Sequence, residues 1–296
     1  MSIVSALGDR IAATLDLVIP KRFRPDIPIV PVVRLAGEIG AVTPLRPGMT
    51  LAGVARPLER AFSVRNAKAV ALLINSPGGS PAQSHLIFRR IRQLAEEKKI
   101  PVLAFIEDVG ASGGYMLACA ADEIICDRFS IVGSIGVVGG TFGFPKLLDK
   151  LGIERRVYTA GERKVMLDPF LPEKPDDVKR IKAIQKDIHD HFIALVKERR
   201  GSRLDAPDRT LFSGEFWTTD AAIKLGLADH RGDVRSTLRA RYGDKVRMPL
   251  ITAQRSLFGR RLPGVGLVDA LNRQEGFAAD LISALESRAL WGRYGL

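Results

Sequence analysis

Apolar residues recur along the chain in short β-branched runs separated by amphipathic stretches, the alternation expected of parallel strands joined by crossover helices. Ile29–Leu35, ending at Gly37, predicts a first strand, residues 51–64 a helix around Pro57, and Lys68–Ile74 a second strand. That strand stops at Asn75-Ser76-Pro77-Gly78-Gly79, a turn sequence. Pro81–Lys99 predicts a helix with Leu86, Ile87, Ile91 and Leu94 on one face, and Pro101–Ile106 a third, buried strand. Gly110-Ala111-Ser112-Gly113-Gly114 follows directly and opens a helix through Tyr115. Beyond it, Ile124–Cys126 and Ile131–Val132 predict short strands, Pro145–Leu151 a helix, Glu154–Thr159 a strand and Glu173–Arg200 a long helix carrying Ile184, Ile188, Phe192 and Leu195. The order implies an α/β domain with a parallel sheet, in which strand, strand, helix recurs as a coarse theme.

The two ends read differently. Ile3, Leu7, Ile11, Leu15 and Val18 stand at helical spacing but are interrupted by Asp9, Arg10 and Asp16, so the segment predicts an amphipathic extension over residues 1–28. It falls short of the about 20 apolar residues of a spanning helix and lacks the ordered parts of a secretory signal. Either a membrane surface or the protein's own body would suit its apolar face. A catalytic domain is expected over 29–235, and a basic extension ending in a helix near Gly276–Trp291 over 236–296.

Composition changes little. An apolar fraction of 46% suits an ordinary soluble domain. The net charge is +12, and residues 231–296 hold twelve Lys/Arg against six Asp/Glu, so half of the excess is regional. No zinc finger, aromatic RNA-binding signature or dense basic run points to nucleic acid, and none is expected as a partner. Cys119 and Cys126 match neither a redox pair nor a zinc ribbon and read as core residues, which favours a reducing compartment.

Candidate chemistry centres on Ser112. It follows a strand, is flanked by glycine and opens a helix whose first N–H groups are free, so it reads either as a cap of that helix or as an exposed nucleophile. In the second case the Gly113 amide would serve an oxyanion hole, and Gly79, ending the neighbouring parallel strand, could add a second donor. A nucleophilic serine needs a base. His85, His189, His191 and His230 are poorly placed for one, since they fall at a helix start, in a long charged helix and in a polar turn. Lysine is the alternative, provided burial or nearby positive charge brings its pKa well below the free value of about 10.4. Lys164 follows the Thr159-Ala160-Gly161 turn and precedes Met166, Leu167, Pro169 and Phe170, which predicts partial burial.

Together these pieces resemble the signal peptide peptidase A and SohB family of Ser/Lys peptidases, over roughly residues 30–232. The resemblance rests on four segments in order: Asn75–Gly79, Ala111-Ser112-Gly113-Gly114-Tyr115, Val132-Gly133-Ser134-Ile135-Gly136, and Thr159-Ala160-Gly161-Glu162-Arg163-Lys164. Arg163 stands where the family often has an aromatic residue. A fifth segment, Phe212-Ser213-Gly214 through Asp229, resembles the closing part of the wider Clp protease and crotonase-like superfamily.

The resemblance implies a Clp protease/crotonase-like fold of repeated β-β-α units, with Ser112 as nucleophile, Lys164 as base, Gly79 and Gly113 as oxyanion donors and Ser134 orienting the lysine amine. It further implies no metal or organic cofactor, peptide substrates such as signal peptide remnants, and a homo-oligomeric ring in which serine and lysine can come from adjacent subunits. The expected location is cytoplasmic, or peripheral to the inner membrane, without a spanning segment. Two rival readings are a crotonase-like acyl-CoA enzyme, which would need neither Ser112 nor Lys164, and a peptide-binding scaffold without catalysis.

Overall fold

The computed structural model describes residues 27–40, 48–161, 163–252 and 288–295. The expected N-terminal amphipathic segment and most of the predicted terminal helix lie outside them.

The strand-forming runs become β1 (Val32–Ala36), β2 (Val70–Ser76), β3 (Val102–Ala111), β4 (Glu123–Cys126), β5 (Ile131–Gly133), β6 (Phe216–Thr218), β7 (His230–Arg231) and β8 (Leu250–Ile251). Between them lie α1 (Leu51–Phe62), α2 (Pro81–Lys98), α3 (Gly113–Ala118), α4 (Pro145–Lys150), α5 (Pro175–Arg200), α6 (Asp208–Leu211), α7 (Thr219–Lys224) and α8 (Val234–Tyr242). The strands form one sheet in the order β6-β5-β3-β2-β1-β8, with β4 beside β3 and β7 beside β4. Every pairing is parallel except β5 with β6. The fold is therefore mixed α/β with a mostly parallel sheet, as the alternation of runs predicts. Because β8 pairs with β1, the sheet continues past residue 235.

Alternate residues of each central strand feed two apolar layers, as a period of two requires. Val33 and Leu35, Val70, Leu72 and Ile74, and Val102, Ala104 and Ile106 face the larger layer under α1, α2, α3 and α5. Val32, Ala71, Leu103 and Phe105 face the smaller one, closed by Leu238 of α8 and by Val246. Both cysteines are buried in the larger layer, and burial pushes each thiol up to about 12, in keeping with core residues.

β3 is the strand that makes the site. Its first half pairs with β4 (Leu103↔Glu123 to Ile106↔Cys126) and its second half with β5 (Val109↔Ile131 to Ala111↔Gly133). Its C-terminal end thus lies between the ends of β2 and β5, at the sheet edge where parallel α/β proteins bind ligands.

One expected strand is absent. Residues 154–159 carry no regular secondary structure and are exposed, without ladder partners among the described residues. They belong to an excursion over roughly 138–174 that leaves the sheet edge, and a β-prone run with no neighbouring strand to pair has nothing to hold its backbone bonds. The excursion is held by its own aromatic contacts, Phe144 with Phe170 at 5.6 Å and the Arg155 guanidinium 4.9 Å over the Phe170 ring, and by an Arg155–Asp168 ion pair. It leaves Val138, Phe142, Leu147, Leu151, Ile153 and Tyr158 exposed.

Candidate active site

The backbone at Ser112 is strained. Its φ of 53° and ψ of −121° place it on a sharp strand-to-helix turn, a conformation that L-residues avoid and that persists only where its surroundings enforce it. Here the Ser112 N–H donates to the Gly133 carbonyl at 2.8 Å and its carbonyl accepts the Met116 N–H at 3.0 Å. The side chain makes no capping bond, so the reading of Ser112 as a mere helix cap fails.

The end of β2 is pressed against this turn. Gly78, at φ 103°, lies so close that a Cβ there would stand 2.8 Å from both Ser112 Cβ and Gly113 N. Gly79, at φ 139°, passes Ile39, and a Cβ on it would come within 2.2 Å of the Ile39 carbonyl oxygen. The Ile39 N–H donates to Gly78 and its carbonyl accepts from Ser80, fixing the loop from the far side. The amides of Gly79 and Gly113 have no acceptor among the described residues.

Ser112 and Gly79 line one cleft of about 570 Å³ with Ser134, Gly136, Val137, His189, Ser213 and Tyr294. Ser134, 6% exposed and at φ 52°, is anchored by its N–H on the Glu215 carbonyl at 2.6 Å. The structure thus brings Ser112, Gly79 and Ser134 to one cleft, with Gly113 directly following Ser112.

Lys164 is not among the residues lining that cleft. It is exposed on the excursion, with its N–H on the Gly161 carbonyl at 3.2 Å. The expected partial burial is therefore corrected: Met166 and Leu167 are half-buried, with the Leu167 N–H on Asp177 of α5 at 3.4 Å, but Lys164 itself stays exposed among the described residues.

Two cleft residues were not legible in the sequence. His189, which the charged pattern of α5 makes look like a surface residue, turns into the cleft wall, with Nε2 3.0 Å from the Ile135 carbonyl. Tyr294 arrives from residues 288–295, far along the chain, and packs edge-on against Phe216 at 5.2 Å. No local signal marks either, since both are placed by long-range packing. Among the described residues no cluster of His, Cys, Asp or Glu could hold a metal ion.

A strained serine whose hydroxyl has no hydrogen-bond partner among the described residues thus sits in a cleft at the carboxyl edge of a parallel sheet, the geometry a serine hydrolase requires of its nucleophile. The model of peptidase family S49 matches residues 94–248, and the chain belongs to that family, of the signal peptide peptidase A and SohB-like kind. Among its relatives is a protein of Brucella abortus called Na(+)/H(+) antiporter NhaA, 55% identical over 99% of this chain, and another is the chloroplastic serine protease SPPA of Arabidopsis thaliana, 32% identical over 75% of it. The chain spans 40% of the length of the first and 33% of the second, so the antiporter name describes a longer protein of which less than half matches. A solved structure, the 1510-N membrane-bound stomatin-specific protease, is similar at 18% identity and a TM-score of 0.46, covering 76% of this chain and 93% of that one. Among the described residues no helix is long and apolar enough to cross a membrane.

Proposed function

We propose that Ser112 is the nucleophile and Lys164 the general base of an endopeptidase acting on unfolded or membrane-derived peptides, signal peptide remnants among them. The observation that carries the reading is the strained Ser112 between two glycine loops, its hydroxyl making no hydrogen bond among the described residues. The neutral lysine amine takes the Ser112 proton as Oγ bonds to the peptide carbonyl carbon, and the N–H groups of Gly79 and Gly113 hold the oxyanion. Collapse breaks the C–N bond, the departing amine takes the proton from the lysine ammonium, and water activated by the same lysine releases the acyl group. Ser134 orients the lysine amine. No metal or organic cofactor enters.

Because Lys164 is exposed away from the cleft of its own chain, the reading includes a homo-oligomeric ring in which the excursion of one subunit reaches Ser112 of the next. Support comes from the exposed apolar residues on that excursion, which a second copy would cover. The enzyme would work in the cytoplasm or peripherally on the inner membrane.

A fluorophosphonate probe tests the nucleophile directly: stoichiometric labelling of wild type at Ser112 and none of Ser112→Ala is expected, and labelling elsewhere would overturn the assignment. Gly79→Ala forces a Cβ onto the Ile39 carbonyl and displaces the loop amide. It is expected to lower kcat/KM for casein by about 100-fold or more, a value read from steady-state kinetics, and a rate equal to wild type would remove Gly79 from the oxyanion site.

A further inference from the structure

Residues 288–292 are helical and the turn after them carries Tyr294 into the Ser112 cleft, where Leu290 and Arg293 also line the wall. The Tyr294 ring is 6% exposed and packs with Val109 and Ala111, the β3 residues just before the nucleophile, with Ile131 and Trp291 against the same cluster. Its hydroxyl is buried and has no hydrogen-bond partner among the described residues. A buried tyrosine normally finds a partner for its hydroxyl, because leaving that group unpaired forfeits its hydration without return. A cleft that receives peptide offers the missing partner in the substrate's own backbone carbonyls.

Resting on Ser112 as the nucleophile, we infer that Tyr294 is a substrate-binding residue whose hydroxyl donates to a main-chain carbonyl of the peptide lying across the cleft. The contact is sequence-independent, since every peptide carries the carbonyl, and the ring, held edge-on by Phe216, fixes where that carbonyl must lie. Residues 288–295 then complete the peptide site from outside the 94–248 span that the family model covers.

The test uses Tyr294→Phe in the full chain, which keeps the ring and its contact with Phe216 and removes only the oxygen. Affinity for a fluorescein-labelled β-casein fragment is measured by anisotropy in the Ser112→Ala background, where binding is read without turnover, and KM and kcat are measured with Ser112 intact. The expected result is affinity weakened about 3- to 10-fold, as for one lost hydrogen bond, with the loss in KM rather than kcat and a thermal midpoint of the free enzyme that is unchanged or raised. Equal or tighter binding by Tyr294→Phe overturns the inference, and tighter binding would mean that the segment obstructs the cleft. Failure of the nucleophile assignment shows separately, as hydrolysis that survives Ser112→Ala.

Discussion

Ser112→Ala is expected to abolish peptide hydrolysis, lowering kcat/KM by roughly 10⁴-fold or more, since residues of a catalytic unit act together and loss of one removes most of the unit's effect. Lys164→Ala should be as silent, although that lysine is exposed on the excursion of its own chain. The decisive form of the experiment is co-expression of the two dead variants. If serine and lysine meet across a subunit boundary, a ring assembled at random restores about a quarter of wild-type activity, because that share of junctions pairs an intact serine with an intact lysine. No restoration would mean that each chain closes its excursion over its own cleft, and full-rate cutting by Lys164→Ala would place the base elsewhere, with His189 the first residue to examine. Ser112→Gly, equally dead, is expected to be more stable than Ser112→Ala by roughly 1 kcal/mol, because glycine accepts a φ of 53° without strain; chemical denaturation reads the difference.

The largest expected loss of stability lies behind Ser112. Arg200, 3% exposed at the end of α5, donates through both terminal nitrogens to Asp229 at 2.8 and 2.9 Å and through Nε to the Gly226 carbonyl at 2.8 Å. Asp229 in turn accepts the Ile124 N–H of β4 at 2.7 Å, and Tyr115 of α3 donates to the Leu227 carbonyl at 2.8 Å. One ion pair therefore ties α5, β4 and the 225–229 turn to the helix that Ser112 opens. Arg200→Ala leaves Asp229 with only the more exposed Arg203, 3.6 Å away, as counter-charge and is expected to cost about 3–5 kcal/mol in urea unfolding, whereas a value under 1 kcal/mol would show that Arg203 and water substitute for the arginine.

The same pair sets a pH dependence. Burial alone would raise the Asp229 carboxyl, but the Arg200 guanidinium and the Ile124 amide together hold it below the ordinary carboxylate range. A depressed carboxylate contributes stability above its unfolded pKa, near 3.9, and that contribution is lost as the pH falls through the lower folded value. Wild type should lose stability across that acid window, and Asp229→Asn should lose less of it.

Much of this was legible along the chain. The β-branched runs at 32–36, 70–76 and 102–111, each closed by glycine and followed by an amphipathic stretch, specify a parallel α/β sheet, because local propensity and burial on both faces act in the same direction there. For the same reason Ser112, Gly113 and Gly79 could be picked out as candidates: a strand ending in glycines and opening a helix exposes backbone amides wherever the chain runs afterwards. The order of the four segments carried the family. Tertiary structure alone decided the rest. Residues 154–159 have the composition of a strand but no partner edge, so propensity lost to the missing ladder. His189 and Tyr294 reach the cleft through packing between segments far apart in sequence, and Arg200, one charge among many in α5, is buried only because Asp229 comes back to meet it. Sequence determines what each segment can form by itself, whereas these contacts depend on which distant surfaces the folded sheet brings together.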